Sequence, residues 1–346
     1  MKILLIYHQY CRDGYAAMAV TFKYYLDQYK QKNISNVDLI YKGIDPGQLN
    51  ADKLIFDYPS DTIVISYDLA INYRVFKKMS NHFTNLNIWD HHVSTKQNCI
   101  DLIQPDEEEL KDKIHYIQEY CAAVIAWNNY YPDQPVPIFL LYIQDRDLWT
   151  NTQPNSKNIN AGLFEALPLE YVVKSEVLNY IKEYSSETNP TLNILIASGD
   201  NNVPYFKNWI KYMLNDNWID KIKTNGELVV SIQNRSINQS CQSAKIINLN
   251  GKKVYLVNVT DQYISDVSNI LYNRCDNNNN YLCEYVLAWR FNHRSNLIYV
   301  SLRSKQDIGL DVSKLAIILG GGGHKHAAGF ECTFQEFYNK IVRKIY

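Results

Sequence analysis

The chain opens on "KILLIY" (Lys2 to Tyr7), an apolar run with no polar position after its lysine. A run that short and continuous predicts a strand buried on both faces. After the loop "HQYCRDG", the segment Tyr15 to Tyr29 carries its apolar residues at helical spacing. "VDLIY" (Val37 to Tyr41) and "TIVISYD" (Thr62 to Asp68) return to the strand pattern, "INYRVFKKMS" predicts a helix, and "LNIW" a further short strand. Strands alternating with helices imply a parallel sheet, whose ligands gather beyond the carboxyl ends of the strands. His8, Asp13, Asp68, Asp90, His91 and His92 all fall at such ends.

Farther along, "IQEYCAAVIAWNNYY" and "VPIFLLYIQDRDLW" predict two apolar helices, the second ending on Asp145, Arg146 and Asp147, with Trp149 read as core. A polar middle with helical patterns follows. From Gly226 a second pattern sets in: "ELVVSIQ", "KKVYLVNV", "EYVLAWRF" and "LIYVSLRS" have strand character, interrupted by a helix near Ile264 to Cys275. The last part, "LAIILGGGGHKHAAGF", leads into an amphipathic helix. The expected architecture is α/β, with an N-terminal parallel-sheet domain over 1–184, a helical connector over 185–225, and a smaller α/β domain over 226–346.

Composition narrows the partners. The 346 residues exceed one typical core, which agrees with two domains. A formal net charge of −1 argues against coating long nucleic acid, which needs a basic face. A small phosphorylated substrate in a local positive pocket stays open. The seven cysteines at 11, 99, 121, 241, 275, 283 and 332 form no CxxC pair, and an odd, scattered set fits a reducing cytoplasm. "VPIFLLYI" is far too short for a membrane span, so no membrane partner is expected. The 28 tyrosines suggest no aromatic stripe and stay unassigned.

The triplet Asp90-His91-His92 poses a geometric problem. Neighbouring residues of an extended chain project to opposite faces, so adjacent imidazoles do not easily share one ion. Taken singly, each acid near a strand end is as readily a helix cap or a solvated loop residue. Jointly, His8, Asp13, Asp68, His91 and Asp145 form a mixed carboxylate and imidazole set suited to a hard or intermediate divalent cation. Carboxylates converging in one crevice repel one another unless cations sit between them. The glycine run Gly320 to Gly323 offers backbone N–H groups for an anion but lacks the ending of a Walker loop. Arg303 in "SLRSK" can fork onto a phosphate.

"WDHHVS" together with "GGGGHKHAAGF" resembles the DHH phosphoesterases with their companion DHHA1 domain, and the likeness spans nearly the whole chain. "YHQYCRDGYAA" looks like the first motif of that family, Asp68 the second, Asp90-His91-His92 the third and Asp145 the fourth. Gly199 sits where such proteins start an interdomain helix, and "VSLRSK" with the glycine run looks like the DHHA1 signature. The resemblance implies a DHH domain followed by a DHHA1 domain and two divalent cations, Mn²⁺ first, with Mg²⁺ or Co²⁺ as alternatives. Asp68 would bridge the ions, Asp13, His91 and Asp145 would hold one, and His8 would help hold the other. His92 would face the substrate phosphate and Asp90 would orient the histidines. Arg303, the amides of Gly321, Gly322 and Gly323, and His324 would grip the substrate. The chain departs from the D-x-D form of the first motif, because Cys11 stands where the first carboxylate would be. Thiolates favour softer metals, which makes Cys11 a spectator or weak ligand before a full one.

The activity this implies is hydrolysis of phosphodiester bonds in short oligonucleotides or small nucleotides by a metal-activated water. The near-neutral charge fits a short substrate. Cyclic dinucleotides, phosphoadenosine phosphate and polyphosphate are the alternative substrates, and a catalytically inactive binding scaffold is the alternative of another class. A homodimer is compatible with this reading.

Overall fold

The computed structural model describes residues 1–44, 54–148, 150–187, 190–196, 202–293, 295–305 and 310–344. Trp149 and Gly199 lie outside them. Compact packing divides the chain into two units, Met1–Val229 and Val230–Tyr346.

The first unit runs β1 (Lys2–His8), α1 (Arg12–Lys30), β2 (Val37–Ile44), β3 (Ile63–Tyr67), α2 (Tyr73–His82), β4 (Leu86–Asp90), α3 (Val93–Asn98) and β5 (Ile114–Tyr116). It continues with α4 (Ala122–Tyr130), α5 (Ile138–Asp147), α6 (Ser156–Ala166), β6 (Tyr171–Val173), α7 (Lys174–Ser185), β7 (Leu192–Ile196), β8 (Asn202–Pro204) and α8 (Lys207–Leu214). Six strands form a parallel sheet in the order β5-β4-β3-β1-β2-β7. The apolar run of β1 explains its central place. Ile3, Leu5 and Tyr7 enter the core on one face, with α1 and α4, while Leu4 and Ile6 enter the core on the other, with Val75, Phe76 and Met79 of α2. Both faces are therefore covered, as a parallel sheet requires. The strand order reverses around β1, which opens a crevice at the carboxyl ends of β1, β3 and β4.

Helix α9 (Ile219–Ser243) contains the division between the units. The second unit continues with β9 (Lys245–Leu249), β10 (Lys252–Asn258), α10 (Ile264–Tyr272), β11 (Tyr285–Asn292), β12 (Leu297–Arg303), α11 (Val312–Ile318), β13 (Gly322–His324), β14 (Ala327–Cys332) and α12 (Phe334–Lys340). Its sheet is mixed, in the order β13-β14-β12-β11-β10-β9, and parallel between β10 and β11. No described helix is long and apolar enough to cross a membrane.

Three expectations change. "ELVVSIQ", read as a strand, lies inside α9. Tertiary contact decides this: a Cβ on Gly226 would stand 1.7 Å from the Asn158 carbonyl oxygen, and one on Gly162 would stand 2.2 Å from that of Ile222. Helices α6 and α9 thus cross backbone against backbone, and that packing overrides the β-branched composition. The segment 185–225 is not wholly helical, because β7 joins the sheet beside β2 and buries Leu192 and Ile194. The stretch before Ala122, read as helix, instead follows the edge strand β5.

A polar clasp ties three helices of the first unit together. Asp27 of α1 accepts hydrogen bonds from Lys23 at 2.7 Å, from Tyr131 at the end of α4 at 2.7 Å, and from Tyr184 of α7 at 2.5 Å. Burial pushes the carboxyl up, but these three donors outweigh it and hold its pKa below the usual value of 3.8. A depressed folded-state pKa contributes stability above the unfolded pKa and loses it as pH falls through the folded one. Asp27→Asn should therefore cost about 3 kcal/mol near neutral pH, since it strands the buried Lys23 ammonium. The difference from wild type should shrink below about pH 4. Urea denaturation at pH 7 and pH 3 measures both, and a gap that does not change with pH would contradict the clasp.

Candidate metal centre

Each side chain of the crevice is positioned by a different element. His8 ends β1, Asp68 follows β3 directly, Asp90 ends β4, and Asp13 lies in the first turn of α1. Asp68 adopts a left-handed backbone conformation, φ 63°. Asparagine and aspartate tolerate this region better than other side chains, and such strain gathers at functional sites. Gly14 makes room for the arrangement, because a Cβ there would lie 2.9 Å from the His8 carbonyl oxygen and 3.0 Å from Asp68 Oδ2.

Asp13 is 1% exposed, and its two oxygens accept the backbone N–H groups of Ala122 and Ala123 at 2.6 and 2.8 Å. Those are orphan donors at the amino end of α4, where a negative charge is stabilised. His91 Nε2 is the hub of the cluster: Asp68 Oδ1 lies 3.4 Å away, Asp147 Oδ2 3.5 Å and Asp13 Oδ2 3.6 Å. On the other side of Asp68, Oδ2 lies 3.5 Å from His8 Nδ1. Cys11 groups with His8 and Asp68, one ligand atom of each lying within 4.8 Å of the others.

Asp90 is fully buried and organises the histidine pair. Its Oδ1 accepts the His91 N–H at 2.8 Å and lies 2.7 Å from His92 Nδ1, while Oδ2 accepts the Thr95 hydroxyl. The Nδ1 proton of His92 belongs in that bond, which directs its Nε2 away from Asp90. The two rings nevertheless stay close, with centroids 4.5 Å apart, and both approach Asp68 Oδ1, His91 Nε2 at 3.4 Å and His92 Nδ1 at 4.0 Å. The separation expected from an extended chain is therefore not what the turn after β4 gives.

Electrostatics mark the same residues. Burial disfavours a charged His91, yet its hydrogen bond to Asp68 and the charges of Asp13 and Asp147 outweigh this and raise its pKa. Burial likewise opposes charge on His92, and the bond to Asp90 raises it. Burial, then Asp68 and Asp147, push the Asp13 carboxyl up; burial and Asp68 do the same to Asp147. Burial, with Asp68 and Asp13, pushes the Cys11 thiol far up. Among the described residues, Oδ2 of Asp68, of Asp147 and also of Asp145 are buried without a hydrogen-bond partner. Buried carboxylate oxygens left in this way need a cation or a proton. Oxygen and imidazole donors converging on a shared carboxylate fit divalent cations well.

Asp145, expected as the fourth acid, stays outside this group. Its Oδ1 accepts the Thr150 hydroxyl at 2.6 Å and the Thr152 N–H at 2.6 Å, so it pins the turn after α5. Asp147 takes its place beside His91. Two residues apart on a helix point in different directions, so only one acid of "DRD" can reach the crevice, and spacing alone does not say which. Thr95, Gly14 and the amides of Ala122 and Ala123 were equally missed, because each acts through a contact distant in sequence or through backbone.

In the second unit Arg303 ends β12, half-buried, and donates one N–H to the Leu302 carbonyl at 3.2 Å. The glycine run is not a free loop. Gly320 takes φ 86° and donates to Ile317, and Gly321 donates to Ala316 at 2.8 Å, a Schellman close of α11. The Gly321 N–H expected to meet an anion is therefore spent on the helix. Gly322, Gly323 and His324 enter β13, paired with β14, and the His324 side chain lies outside the described part.

No family model matches the chain. An uncharacterized protein of Acanthamoeba polyphaga mimivirus is 24% identical over 329 residues, covering 94% of this chain; the chain spans 66% of that relative's length. Among solved structures, a pGpG-specific phosphodiesterase from Vibrio cholerae overlaps 99% of this chain and 97% of its own, with TM-score 0.47 and 13% identity. An exopolyphosphatase-related protein from Bacteroides fragilis overlaps 99% and 91%, with TM-score 0.44 and 14% identity. CDC45 of Entamoeba histolytica overlaps 98% of this chain and 93% of its own, with TM-score 0.38 and 10% identity. At these scores the architecture rests on the sheets and cores of the chain itself.

The exchange of Asp145 for Asp147 is open to direct test. Asp147→Asn should weaken Mn²⁺ binding at least about tenfold by calorimetric titration. Asp145→Asn should leave Mn²⁺ affinity within a few-fold of wild type and instead lower thermal stability by about 1–3 kcal/mol. The reverse pattern would return Asp145 to the centre.

Proposed function

We propose that the chain is a divalent-cation-dependent phosphoesterase of the DHH type, cleaving phosphodiester bonds of short oligonucleotides or small nucleotides. The observation that carries this reading is the convergence of Asp13, Asp68 and Asp147 on one imidazole, His91, with buried carboxylate oxygens left unpaired. In this reading Asp13, Asp68, His91 and Asp147 would hold one cation, and His8 with Asp68 would hold a second. Bound divalent cations would supply neutralisation of the phosphate and a water acidic enough to attack it.

The protein residues do the positioning. Asp13 is fixed by the amino end of α4, so its oxygens are set before any ligand arrives. Asp90 orients His92 through Nδ1, which leaves its Nε2 as the group to donate a proton to a phosphate oxygen or leaving group. Arg303 is the proposed phosphate fork of the second unit. A net charge of −1 supports a short substrate over a long strand. Mn²⁺ is the proposed physiological ion of the His91 set, and the cytoplasm the proposed compartment.

Turnover of a dinucleotide and a pentanucleotide in Mn²⁺ should exceed that of a cyclic dinucleotide, phosphoadenosine phosphate and polyphosphate. Asp68→Asn and His91→Ala should each lower kcat/KM at least about 100-fold. Fastest cleavage of polyphosphate would refute the substrate class. Absence of both turnover and bound metal would make the chain a scaffold.

A further inference from the structure

The two oxygens of Asp68 face two unlike donor sets. Oδ1 faces His91, with Asp13 and Asp147 beyond it, so that set holds only oxygen and nitrogen. Oδ2 faces His8 at 3.5 Å, and the Cys11 sulfur groups with His8 and Asp68, one ligand atom of each within 4.8 Å of the others. Asp68 is 1% exposed, and its Oδ2, on the His8 side, accepts no hydrogen bond among the described residues, so a buried acceptor is left beside two members of the sulfur-containing set. Cys11 is also fixed in place. It stands in extended conformation as the residue before α1, and its carbonyl accepts the Tyr15 N–H at 3.0 Å.

We infer that Cys11 is a ligand, and that the His8–Cys11–Asp68 pocket selects a borderline or soft divalent ion of the Zn²⁺, Co²⁺ or Fe²⁺ class over Mn²⁺ and Mg²⁺. The inference rests on the two-cation reading above. Thiolate shifts preference toward softer ions, whereas the carboxylate-rich set around His91 keeps the preference for hard ones. On binding, the thiol gives its proton to solvent and the sulfur lone pair forms the bond to the ion, with no change of oxidation state. The two pockets then differ in metal identity although they share a carboxylate.

Co²⁺ reports the two pockets separately. Added to the metal-stripped full chain, it should produce visible ligand-field bands that grow to two equivalents. A near-ultraviolet sulfur-to-cobalt charge-transfer band should saturate at one. Cys11→Ser should abolish the charge-transfer band and keep visible bands, while Cys275→Ser, at an exposed thiol, should change neither. Zn²⁺ should displace the sulfur-bound Co²⁺ where excess Mn²⁺ does not. Ligand-field bands without a charge-transfer band in the wild type, or a charge-transfer band that survives Cys11→Ser, would overturn the inference and leave the proposed function standing. No Co²⁺ binding at all would remove both.

Discussion

Three carboxylates and one imidazole cannot share a dry crevice unless their charges are balanced, and the first unit is arranged around that constraint. Asp13, Asp68 and Asp147 each approach His91 within 3.6 Å. Repulsion among them is opposed from outside by fixed groups: the amino end of α4 on Asp13, and His8 on the far oxygen of Asp68. The parallel sheet brings these acids together because its strand order reverses at β1, so the ends of β1, β3 and β4 open on the same crevice. The covering of both faces by helices keeps water away from the floor of that crevice and gives each charge more weight.

Much of this was legible in the chain. A buried parallel strand has to be apolar at every position, and "KILLIY" is; a residue that must emerge from such a strand beside a ligand has to be polar, and His8 is. The same logic found Asp68 and the triplet ending β4. What stayed illegible depended on contacts the sequence does not encode locally. Asp145 and Asp147 are chemically identical and two positions apart, and the choice between them is made by the pose of α5. "ELVVSIQ" carries strand composition, but Gly226 is required for the close crossing with α6, and the helix follows from that packing. The glycine run invited an anion-binding reading, yet its first amides serve to close α11. Residues spent on backbone geometry look, in one dimension, like residues spent on ligands.

The backbone at Asp68 has a consequence for how position 68 can vary. Its φ of 63° restricts the site to the few residue types that accept a left-handed turn, while its two oxygens restrict it to an acid. Glycine would relax the first demand and forfeit the second; glutamate would keep the charge but strain the turn and reach past both histidines. Asparagine alone keeps shape and conformation while removing charge. The local geometry thus confines substitution to a single isosteric pair, a conformational filter on top of the chemical one.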